Sequence, residues 1–144
     1  MTDEHDGTQE ASRLDRTTME TLARRSKTHP LVTSWAFRPD RLSPRALEII
    51  LDSSAYPASV DAVRLDINWF VTGDYYVHYL ETHDETQYQC RWDRHPKTDL
   101  PRTHFHPPPD AGDAEPASAG THHLDVLFTI LDWVAERVST LHDS

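Results

Sequence analysis

The chain has one cysteine, two lysines and four glycines in 144 residues, and each scarcity removes a class of protein. Cys90 alone cannot support an intramolecular disulfide framework or a thiolate zinc cluster, and a lone cysteine in a strand-like context reads as a small core residue. The few glycines build no phosphate-cradling loop, and neither a His-Glu-x-x-His helix nor a Gly-x-Ser-x-Gly elbow is present. No run reaches the roughly 18 apolar residues of a membrane span, and Met1-Thr2-Asp3-Glu4-His5-Asp6 is too acidic and polar for a signal peptide. A soluble, cytoplasmic chain with no membrane partner is therefore expected.

The lysine scarcity has a counterpart. Sixteen Asp and eight Glu stand against twelve Arg, for a net charge of −10. An acidic, Lys-poor balance keeps proteins soluble at very high salt, so a halophilic source is expected and the net charge reads as solvent adaptation. At molar salt the Debye length is only about 3 Å, so any charged contact must be short and direct.

At this length the chain suits one domain with a modest core. Positions 1–11 are polar, acidic and aperiodic, the composition of a disordered tail, which leaves 12–144 as the domain. Ser12 stands three before Asp15 and predicts a capped short helix to about Ser26, which Pro30 closes off. Positions 31–37 and 47–51 read as strands. Val63, Leu65, Ile67, Trp69 and Val71 then share one face of a third, Tyr75, Val77 and Tyr79 continue in a fourth, and Tyr88, Cys90 and Trp92 in a fifth. The turns between them are too short for anything but antiparallel neighbours, so the centre is a meander.

Positions 107–120 are rich in Pro, Ala and Asp and read as an extended, mobile loop without regular structure. After it, Leu124, Leu127, Phe128, Leu131, Val134, Val138 and Leu141 fall at helical spacing, with Asp125, Asp132, Glu136 and Arg137 toward water. A five-stranded antiparallel sheet covered by this long helix, with a short N-terminal helix, makes a two-layer α+β fold.

One stretch departs from the acidic background. Positions 91–106 carry a net charge of +2 and three histidines, so an anionic ligand would be drawn there. Strand parity places Tyr88, Cys90 and Trp92 under the helix and turns Arg91 and Asp93 to the open face, beside Tyr76, His78 and Leu80. His104 and His106 lie on one side of the following extended segment. Histidine exchanges protons near neutral pH and arginine clamps phosphate, so His95, His104, His106 and Asp93 are the candidate catalytic residues. Arg91, Arg94 and Arg102 are the candidate phosphate ligands, and Phe105 the candidate for stacking on an RNA base. No cofactor is required by this reading. The alternative is a zinc-like ion held by His104 and His106 with His95 or the His122-His123 pair, of which His122 completes the simplest set.

The meander leading into Arg91-Trp92-Asp93-Arg94-His95-Pro96, then His104-Phe105-His106, a Pro-rich spacer and a terminal helix resembles the TumE-type toxins of toxin–antitoxin pairs. Arg91, Asp93, His95, His104 and His106 match that family's pattern, Arg94 stands where an Asn is typical, and the resemblance covers about residues 60–140. It implies a toxin acting on RNA or translation, with a cognate antitoxin as partner, and together with the local charge reversal it suggests ribonuclease-like chemistry. The reading from a different class is a non-catalytic binding or interaction domain whose His cluster is structural, with or without a bound metal.

Overall fold

In the computed structural model, residues 13–96, 102–117 and 119–143 are described; the N-terminal tail expected over 1–11 lies outside them. Helix α1 (Arg16–Ser26) leads into strands β1 (Val32–Arg38), β2 (Ala46–Leu51), β3 (Ala62–Trp69), β4 (Tyr75–His83), β5 (Thr86–Arg94), β6 (Thr103–His106) and β7 (Glu115–Pro116), and helix α2 (His123–Asp143) ends the chain. The strands form one antiparallel sheet in sequence order, β1 to β7. The architecture is the expected α+β meander, with seven strands in place of five.

The third and fourth strands fall where the alternation puts them. Val63, Leu65, Ile67 and Trp69 on β3, Tyr75, Val77 and Tyr79 on β4, and Cys90 and Trp92 on β5 are buried on the helix side. Val126, Leu127, Ile130, Leu131 and Val134 of α2 cover them, joined by Met19, Leu22 and Ala23 of α1. Trp133 meets the edges of both Tyr79 and Trp92. Each fully buried Leu or Ile of this layer stabilises the fold by about 1.5–3 kcal/mol before chain entropy is subtracted. Phe128, expected in the same layer, is only partly buried and lies beneath the Arg25 guanidinium.

Three local expectations are corrected. The first helix begins at Asp15, whose carboxylate caps the Thr18 N–H at 3.1 Å, three residues after the predicted start. The chain before it is held extended: Arg13 accepts from Val71 N–H at 2.9 Å and Asp15 N–H donates to Trp69 at 2.7 Å, so the cap falls at the end of that pairing. Arg137 does not face water. It gives two hydrogen bonds to the buried Glu81, at 2.8 and 3.0 Å, and lies 3.6 Å over the Tyr88 ring.

The third correction concerns the spacer. Three prolines remove amide donors, but their carbonyls still accept. Gln89 N–H donates to Pro109 at 2.8 Å, Ala111 N–H returns to Gln89 at 3.0 Å, and Gly112 N–H bonds Pro107 at 2.9 Å. Glu115–Pro116 then pairs with β6, and Gly120 accepts from the Tyr75 hydroxyl at 3.1 Å. Burial pushes that hydroxyl up to about 12, so it stays protonated and able to donate.

Candidate active site

The site is set by the register of β4, β5 and β6. Directly opposite residues of antiparallel strands share a face. Tyr76, Asp93 and His104 form one rung across the three strands, and His78, Arg91 and His106 form the next. Both rungs lie on the face that no helix covers among the described residues. His104 and His106 were read from the sequence as part of an extended loop; they belong to a four-residue strand, and pairing brings them to Arg91 and Asp93.

Asp93 is the centre. Arg91 Nε reaches its two oxygens at 2.9 and 3.0 Å, an i, i+2 contact along one face of β5. Three imidazole Nε2 atoms surround its Oδ2: His106 at 3.0 Å, His104 at 3.6 Å and His95 at 3.8 Å. Asp93 and His104 are 0% exposed, whereas the side chains of Arg91 and His95 are 39% and 27% exposed. The cluster thus has a sealed floor and an open rim.

The spacer completes it. His106 Nδ1 stands 2.8 Å from the carbonyl of Gly112, and a carbonyl only accepts, so Nδ1 carries a proton and Nε2 is turned toward Asp93 and toward Arg91 Nη2 at 3.1 Å. At the other end His95 N–H bonds the Arg102 carbonyl at 2.9 Å, which keeps the chain beyond β5 against β6. The His95 ring lies between Tyr76, with ring centroids 5.4 Å apart, and His104, at 4.7 Å.

Beside the cluster His78 Nε2 meets Gln89 at 2.8 Å, while Nδ1 faces Asp66 at 3.9 Å. The neighbouring Asp66 carboxylate raises the His78 pKa against the opposing effect of burial. Burial alone would raise Asp66, but bonding to His78 and Arg64 outweighs it and holds that carboxyl below its ordinary value.

Other predicted residues lie elsewhere. Arg94 and Arg102 converge on Asp74, Arg94 at 3.0 Å and Arg102 through two bonds of 2.9 Å. Arg94 has the parity of Trp92, so it leaves β5 on the side away from Asp93. It also lies beside Gly73, whose left-handed φ of +88° shapes the turn that presents Asp74. Phe105 shares that parity and packs on Trp92 with centroids 5.2 Å apart. His122 stacks on His123, which lies edge-on to Trp69 on the helix side, so it is not brought to His104 and His106.

Sequence reasoning missed two features. The carbonyl of Gly112 gives no signal in a side-chain pattern. The second is a buried polar group under α2, where Glu81 accepts from Arg137, from the Tyr79 hydroxyl at 2.6 Å and pairs with His83 at 2.5 Å, and Tyr79 in turn bonds Tyr56. Its signal was available: Glu81 has the parity of Tyr79 and Val77, and a carboxylate on an apolar face needs a partner.

With this geometry in place, the model of the family described as Toxin TumE matches residues 19–138. The chain belongs to the TumE toxin family. The match takes in most of α1, all of β1 and β2 and nearly all of the region of the resemblance, and it spans Arg91, Asp93, His95, His104 and His106. No curated protein and no solved structure matches the chain. TumE membership supports a toxin role and implies a cognate antitoxin. Among the described residues no helix is long and apolar enough to cross a membrane.

Proposed function

We propose that this TumE-family chain is a toxin that acts on RNA, with the open face around Asp93 as its site. The observation that carries this reading is the exposed pair Arg91 and His95 standing on a sealed support of Asp93 and His104. Arg91 is anchored through Nε to Asp93 and through Nη2 to His106, which leaves Nη1 for a phosphate. His95 stands at the open rim as the proton-transfer group, packed against the ring of Tyr76.

In a ribonuclease step at this face, His95 takes the proton of a ribose 2′-hydroxyl as that oxygen attacks phosphorus. The 5′-oxygen leaves and takes a proton from water, and Arg91 offsets the charge that builds on the phosphoryl oxygens. Asp93 and His104 touch no substrate; they position Arg91 and His95. A second reading, a binding domain with a structural His cluster, draws on the complete burial of Asp93 and His104.

Incubating the purified protein with end-labelled single-stranded RNA separates the two. Cleavage to 2′,3′-cyclic ends, lost in His95→Ala, supports the ribonuclease reading. RNA that is bound but left intact by the wild type supports the second.

A further inference from the structure

We propose that Asp93, His104 and His106 hold a divalent metal ion of the class that zinc typifies. The three donors come from adjacent strands, and their ligand atoms lie within 4.8 Å of one another. Two ligands about 2.1 Å from an ion, at a tetrahedral angle, stand about 3.4 Å apart. Oδ2 of Asp93 lies 3.0 Å from His106 Nε2 and 3.6 Å from His104 Nε2, which brackets that spacing.

The orientation of His106 points the same way. Its Nδ1–H is committed to the carbonyl of Gly112, which fixes the tautomer as outer bonds do for metal-ligating imidazoles. In the neutral ring the Nε2 lone pair is then aimed at a carboxylate oxygen 3.0 Å away. Two lone pairs in that relation need a cation beside them. Without an ion the guanidinium of Arg91 supplies it, with Nη2 at 3.1 Å from Nε2 and Nε across both carboxylate oxygens. An ion at Nε2 takes over the Nη2 contact and leaves Arg91 on Asp93 through Nε.

Burial of all three donors keeps water from competing, and three protein ligands leave a fourth position, next to His95. The outer edge of Arg91, released from His106, then meets a phosphate. That last use rests on the RNA reading; binding of the ion does not.

The test strips the full chain with a chelator, dialyses it against zinc or cobalt(II) chloride, and measures metal content and the visible cobalt spectrum. One ion per chain is expected in the wild type and in His122→Ala, with a tetrahedral cobalt spectrum. Affinity should fall at least about tenfold in His106→Gln, at the mouth of the site, and in Asp93→Asn. His104→Gln, whose burial endangers folding, is not needed for the result. A wild type that retains no stoichiometric metal overturns the proposal, as does binding that is unchanged in His106→Gln and Asp93→Asn. A wild type that cleaves RNA but retains no metal sinks this inference alone, and metal bound at these residues without RNA cleavage sinks only the RNA reading.

Discussion

Asp93 and Arg91 share one face of β5, yet the carboxylate is fully sealed and the guanidinium bonded to it is 39% exposed. The two ends of this pair should therefore respond unequally to removal. Arg91→Ala leaves a carboxylate buried without its cation, which costs about 4 kcal/mol. Asp93→Ala leaves a cation that water still reaches, and the loss should be nearer about 2 kcal/mol after discounting for that exposure. Urea denaturation of the two variants measures the difference, and equal losses would contradict the assigned burial.

The pair Glu81 and Arg137 makes a second prediction under α2. Arg137→Ala should destabilise by about 3 kcal/mol or more, because Glu81 is then left with only Tyr79 and His83. A double variant, Glu81→Leu with Arg137→Met, should recover most of that loss, since an apolar pair of similar volume carries no desolvation penalty. Thermal melts of the single and double variants decide it.

A pH window follows from Asp66 and His78. His78 is raised above its ordinary 6.5, so its contribution is complete below pH 6.5 and is lost as pH rises through the folded value. Asp66 is lowered from 3.8, so its contribution is complete above pH 3.8 and is lost as pH falls through the folded value. The stability gap between the wild type and His78→Gln should be widest between about pH 4 and 6.5 and should narrow on both sides. A gap that widens above pH 7 would reverse the sign and refute the assignment.

The spacer yields a prediction against its own composition. The amides of Ala111 and Gly112 are hydrogen-bonded to Gln89 and Pro107, so they should exchange with deuterium more slowly than unbonded loop amides. Exchange at the rate of an unstructured peptide would show that the segment is not held against β5 and β6.

The fold was legible where alternation was long. Eight residues of β3 carry four apolar side chains on one face, and that count leaves a single register. Strand β6 was not legible: it has four residues, two of them His, and alternation cannot be read over so short a span. Arg91 and Asp93 were correctly turned to the open face by parity. The burial of Asp93 was hidden because β6 and the Gly112 loop, not its own strand, seal it. Arg137 illustrates the opposite failure. Helical spacing put it toward water, and only the position of Glu81 across the interface turns it inward.

The central claim, that this TumE-family chain acts through the open face around Asp93, is tested most directly by growth arrest on induced expression. Wild type and Arg102→Ala, whose side chain binds Asp74 away from the cluster, should both arrest growth. His95→Ala should not, because loss of a proton-transfer group costs at least about 100-fold in rate, while an exposed substitution shifts stability by only about 0.5 kcal/mol. Arrest by His95→Ala as complete as that by the wild type, at equal soluble level and equal melting temperature, would contradict the account.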